Sequence, residues 1–96
     1  MKFLAIEKEI TSESVAFTGE LLREESYRVH QLYLAGILRE IYFNDDHCAV
    51  LMLECEGREV AEQTLASLPL VQNGLIRFEL MELKPYTGYE RIINFG

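Results

Sequence analysis

Apolar and polar positions along the chain change period four times. Residues 2–7 read K-F-L-A-I-E, with Leu4 and Ile6 on one face and Phe3 and Ala5 on the other, as a β-strand requires. A polar connection over residues 10–14 follows, in which Thr11, Ser12 and Ser14 can each cap a helix. The spacing then shifts to three and four. Leu21 or Leu22, Glu25, Val29, Leu32 and Tyr33 form one stripe and predict a helix that starts within 14–19 and ends at Ala35, where Gly36 stops it. Two strands are predicted next, at 37–43 and 47–55, joined by the turn residues Asn44-Asp45-Asp46. In the first, Ile37, Arg39, Ile41 and Phe43 share a face, opposite Leu38, Glu40 and Tyr42. In the second, Val50 and Met52 oppose Ala49, Leu51 and Leu53. A second helix over 58–67 buries Val60, Ala61, Leu65 and Leu68 and is stopped by Pro69. A last strand over 75–83 places Ile76, Phe78 and Leu80 on one side and ends before Pro85.

The order β-α-β-β-α-β is that of an α+β, ferredoxin-like fold, a four-stranded antiparallel sheet with two helices on one face. Two helices cover one face only, yet the strands are apolar on both. A second sheet packed on the open face satisfies that pattern, so the chain is expected to form a homodimer or higher homo-oligomer. Residues 1–96 form one domain on this reading. Residues 84–96, with Ile92, Ile93 and Phe95, make a tail that packs across the dimer.

Composition narrows the function classes. The 96 residues carry a formal charge of -7 and 49% hydrophobic residues. No basic face offers itself to a phosphate backbone, and the strand at 47–55 lacks the aromatics on which an RNA-recognition module stacks bases. No apolar run approaches the roughly 20 residues of a membrane span. Residues 1–6 are soon followed by Glu7, Lys8 and Glu9, which breaks any signal-peptide core, so a cytoplasmic location is expected. Cys48 and Cys55 lie on one strand at odd spacing, roughly 23 Å apart when extended, which excludes a disulfide between them. No Cys-x-x-Cys, glycine-rich phosphate loop or Gly-x-Ser-x-Gly is present. Asp45-Asp46-His47 sits at a tight turn and reads as a solvated turn, so no metal and no cofactor is expected.

Three segments carry a resemblance. L-x-L-A-G-I-L-R-E-I-Y, L-A-S-L-P-L and I-R-F-E-L-M-E-L-K-P-Y resemble muconolactone isomerase and its relatives over about residues 20–88. The resemblance implies the dimeric α/β-barrel version of the ferredoxin-like fold. Glu25 and His47 fall where the true isomerases carry Glu and His. Phe43 stands where they carry a second arginine.

Glu25 points with the apolar stripe, and a carboxylate among apolar groups becomes a stronger base, suited to shuttling a proton. It could equally reach solvent or pair with an arginine. Arg39 sits among Ile37, Ile41 and Phe43. It could clamp a substrate carboxylate or form an ion pair with Glu25 or Glu79. Tyr33, Tyr42, His47 and Tyr86 are candidate walls of a substrate pocket; His30 lies one position off the stripe and is expected to be exposed. Two readings follow. One is a cofactor-free isomerase that moves a proton on a small organic acid or lactone, with Glu25 as base and Arg39 as anion clamp. The other is a non-catalytic homodimeric module that binds a small ligand or simply assembles.

Overall fold

The elements follow the alternation. In a computed structural model describing residues 1–11 and 13–93, the chain runs β1 (Lys2–Glu9), a single 3₁₀ turn (Ser14–Ala16), α1 (Gly19–Leu34), β2 (Leu38–Phe43) and β3 (Ala49–Glu54). It continues through α2 (Arg58–Ala66), α3 (Pro69–Gln72), β4 (Ile76–Leu83) and α4 (Glu90–Ile93). The sheet order is β2-β3-β1-β4, antiparallel throughout. This is the expected ferredoxin-like arrangement. One sheet face carries the core: Phe3 and Ala5 of β1 and Leu51 and Leu53 of β3 meet Leu32 of α1 and Ala61 and Leu65 of α2. Each large apolar side chain buried there contributes about 1.5–3 kcal/mol.

The end of α1 sets the path into the sheet. Gly36 adopts φ +80, its N–H donates to the Tyr33 carbonyl at 3.1 Å, and the Ile37 N–H donates to the Leu32 carbonyl at 3.1 Å. This is a Schellman closure, with the apolar pair Leu32 and Ile37 beneath it. The same closure recurs at Gly74, φ +72, where the Leu75 N–H donates to the Leu70 carbonyl and leads the chain into β4.

Three expectations are corrected. First, the register of β2 shifts between Leu38 and Glu40, so that Arg39 is an extra residue against β3. A bulge of this kind reverses side-chain parity. Leu38 therefore pairs with Leu53 on the inner face while Ile41 and Phe43, opposite Leu51 and Ala49, also face inward; Arg39 is removed from their company. Second, the α1 stripe is mostly not core. Leu32 is the one fully buried residue of α1, whereas Leu22 and Tyr33 are exposed. Third, Pro69 does not stop α2, which already ends at Ala66; it occupies the first turn of α3, where its missing N–H removes no hydrogen bond.

The outer face of the sheet keeps the apolar pattern. Leu4, Ile6, Val50 and Met52 are only half-buried, and Met81 is 57% exposed. Residues 84–93 are exposed apart from Gly88, and Phe95 lies outside the described residues. The radius of gyration, 16.2 Å, exceeds the roughly 12–13 Å of a compact chain of this length, as an extended tail requires. Cys48 and Cys55 are both free. No helix among the described residues is long and apolar enough to cross a membrane.

An added Cβ at Gly36 would meet nothing within 4 Å, so its only cost is the left-handed backbone. Gly36→Ala is expected to lower the unfolding free energy by about 1 kcal/mol, with an unchanged urea m-value.

Candidate functional site

Because α1 buries so little of its stripe, it leaves space between itself and the sheet. That space is an open cleft of about 1060 Å³. Leu22, Val29 and Tyr33 of α1 line one side and Leu38, Ile41 and Phe43 of β2 the other. Phe17, from the connection before α1, and Leu70 complete the apolar lining. The bulge at Arg39 is what turns Ile41 and Phe43 into this wall.

Carboxylates occupy the same space: Glu25 from α1, and Glu7 and Glu9 from β1. Glu25 is half-buried, and one of its oxygens accepts the Leu70 N–H at 3.0 Å. That N–H lies in the first turn of α3, where backbone donors have no partner within the helix. Burial raises the Glu25 pKa above the ordinary carboxylate value; the Leu70 bond opposes the shift and the charge of Glu7 adds to it. Its other oxygen accepts no hydrogen bond among the described residues.

Glu7 is the less expected of the two. It lies on the inner face in line with Phe3 and Ala5 and is only 9% exposed. The β1–β3 ladder ends at Ile6 and Val50, and the next donor, the Ala49 N–H, turns to the Glu7 carboxylate at 3.0 Å. A side chain thus replaces the carbonyl that would have continued the ladder. Glu7, Glu9 and Cys48 bring one potential ligand atom each within 4.8 Å of one another, a grouping across strands that no sequence spacing reveals. Partial burial, then the charges of Glu7, Glu9 and Asp46, push the Cys48 thiol up, which keeps it protonated rather than nucleophilic.

The turn between β2 and β3 supplies His47. Asn44 Oδ1 accepts the N–H groups of Asp46 and Cys48 at 3.0 and 2.9 Å, as an asparagine-built turn does. His47 has φ +60, a conformation non-glycine residues seldom adopt, and its ring stacks on Phe43 with centroids 4.2 Å apart.

Of the residues singled out from the sequence, Glu25, Tyr33, Tyr42 and His47 line this cleft, and His30, exposed as expected, lines it too. Tyr42 donates its phenol O–H to Glu40 at 2.8 Å. That bond, and then the carboxylate's charge, hold the phenol above its ordinary pKa. Arg39 and Tyr86 are not among the lining residues. Arg39 is exposed and donates from Nε to the Gly36 carbonyl at 2.7 Å; it pairs with neither Glu25 nor Glu79, whose partner is Arg77 at 3.7 Å. Tyr86 is exposed and packs edge-to-face on Tyr89. Parity with Phe3 and Ala5 puts Glu7 on the inner face, but a strand that ends at residue 7 in the sequence pattern leaves its side chain at the sheet's end, and the structure extends β1 to Glu9.

No protein-family model and no curated protein matches the chain. Solved structures do. Muconolactone isomerase superposes with a TM-score of 0.75 at 19% identity, over 91% of this chain and 92% of that one. The 5-chloro-2-hydroxyhydroquinone dehydrochlorinase TftG of Burkholderia phenoliruptrix AC1100, in complex with 2,5-dihydroxybenzoquinone, superposes with a TM-score of 0.67 at 18% identity, over 92% of this chain and 98% of that one. The chain therefore has the muconolactone isomerase-like fold that the sequence resemblance implies.

A carboxyl whose pKa is raised by folding favours the native state while protonated. Its contribution is lost as pH rises through the folded pKa. Glu25→Gln keeps an acceptor for the Leu70 N–H without the charge. The variant is expected to match the wild type in thermal midpoint near pH 4 and to exceed it by up to about 5 °C at pH 8, read by circular dichroism.

Proposed function

We propose that the chain is a small enzyme that moves a proton on a compact, oxygenated ring substrate without a cofactor, with Glu25 as the base. The observation that supports this reading is a half-buried carboxylate of raised pKa with one oxygen unbonded, in a mostly apolar cleft of about 1060 Å³. The fold it shares with an isomerase and a dehydrochlorinase is consistent with small-ring chemistry.

In this reading Glu25, ionised, takes a proton from a carbon beside a carbonyl. The C–H bonding pair moves into the carbonyl to form an enolate. The carboxylic acid then returns the same proton at another carbon of the conjugated system, and the double bond shifts. Nothing is oxidised or reduced, and the base is regenerated. Desolvation strengthens the base, and general-base help of this kind contributes about 10²–10⁴-fold. Arg39, outside the cleft of its own chain, has no part in the step. Tyr33, Tyr42 and the Phe43–His47 stack bound the substrate.

The second reading, a non-catalytic ligand-binding dimer, is favoured by the bond from the Leu70 N–H to Glu25, since a carboxylate that caps α3 already has a structural purpose. In both readings the half-covered outer face, with Leu4, Ile6, Val50 and Met52, is the surface on which a second copy packs, and the tail from residue 84 supplies further apolar contact.

Proton exchange separates the readings. Small unsaturated lactones and cyclic enols incubated with the protein in heavy water should gain deuterium beside their carbonyls, followed by NMR. Glu25→Gln should slow this at least about 100-fold. Equal exchange by both proteins sinks the assignment of Glu25. The rate should fall on acidification, and because the Glu25 pKa is raised, the fall begins at a higher pH than for an ordinary carboxylate. For assembly, light scattering should give a mass of two chains or a multiple, and Met52→Lys should reduce it to one.

A further inference from the structure

Taking the cleft as a ligand site, as the proposed function does, we infer that it admits hydroxylated planar rings and turns carboxylates away, and that Glu7 is the residue that sets this preference. Three carboxylates line the cleft, and no lysine or arginine is among the described residues that do so. Arg39, the cation nearest in sequence to the β2 wall, is held outside by its bond to the Gly36 carbonyl. Among the described lining residues the imidazoles of His30 and His47 are the groups that can become cationic, so an anionic ligand would enter without a permanently charged counter-ion.

Glu7 dominates this field because it cannot leave it. A surface glutamate swings into solvent when a like charge approaches. Glu7 is nine-tenths buried, sits on a central strand of the sheet, and has one oxygen fixed by the Ala49 N–H. A like charge held about 8 Å away at an effective dielectric constant near 20 costs about thirtyfold in affinity, and screening in an open cleft reduces that to roughly tenfold.

The same geometry states what is accepted. An ionised carboxylate only accepts hydrogen bonds. Glu7 and Glu25 have each committed one oxygen to a backbone N–H, from Ala49 and Leu70 respectively, and the Cys48 thiol bonds to Glu7 as well, which leaves the second Glu25 oxygen for a ligand. That acceptor suits an O–H donor on a ring, and bonds of O–H to carboxylate are among the stronger ones. Phe17, Tyr33 and the Phe43–His47 stack offer flat apolar surface to the ring itself.

The test is displacement of an uncharged fluorescent probe, N-phenyl-1-naphthylamine, by hydroquinone or benzoate. Hydroquinone should displace it at a concentration at least about tenfold below that needed for benzoate. Glu7→Gln should narrow the gap between hydroquinone and benzoate to about threefold or less, while Glu7→Asp keeps it. Should Glu7→Gln fail to fold, the wild type still decides the matter, because raising the salt from 20 to 500 mM must narrow the gap if charge causes it. Benzoate binding as well as hydroquinone, or a gap indifferent to both Glu7→Gln and salt, overturns the inference. These results are independent of catalysis: the selectivity can hold in a protein that exchanges no deuterium, whereas failure of the probe to bind removes the ligand site itself.

Discussion

Along the inner face of β1 the side chains run Phe3, Ala5, Glu7, Glu9, and the environment they meet changes with them. Phe3 and Ala5 are fully buried beneath the helices. Two residues further on, the strand must bury a carboxylate, which is costly without a partner. The Ala49 N–H is that partner. Ending the ladder and satisfying the charge are therefore one event. The core stops where the carboxylate begins, and beyond it α1 stands off from Ile41, Phe43 and Ala49 of the sheet rather than packing on them. The cleft is the space that results.

The helix side shows a matching arrangement. α1 presents Leu32 to the core and Leu22, Glu25, Val29 and Tyr33 to the cleft. Glu25 is steadied by α3, a single helical turn that exists because Pro69 starts it and Gly74 ends it. Each acid thus has one oxygen tied to main chain from elsewhere in the fold. The site is rigid at its polar points and open at its apolar ones, an arrangement suited to recognising a small ring rather than an extended chain.

Much of this was legible in the sequence. The order of elements followed from the changes of period, and Gly36 and the Asn44 turn behave as their chemistry demands. Glu25 points where its spacing from Leu21 and Val29 puts it. The bulge at Arg39 was not legible. Parity counting assumes one residue against one, and nothing in L-R-E-I-Y marks the place where two oppose one. That single slip moved Arg39 out of the site and brought Leu38 into register with Ile41 and Phe43. The partners of the two acids were equally hidden, since Leu70 lies 45 residues from Glu25 and Ala49 lies 42 from Glu7. Only the folded sheet brings them together. Tyr86 was drawn into the site by its chemistry alone, and its place on the tail sets it apart from the cleft.

The turn at residue 47 has a further consequence for any attempt to dissect the site. His47 is asked for two things at once: a left-handed backbone and a ring to lie on Phe43. Few side chains offer both. Glycine relaxes the backbone and deletes the ring; alanine deletes the ring and leaves the strain; phenylalanine keeps a ring and worsens the strain. Asparagine, tolerant of this backbone but not aromatic, separates the two demands. Variation at this position is therefore confined by geometry before chemistry is considered, and a histidine found there identifies a turn as much as a binding wall.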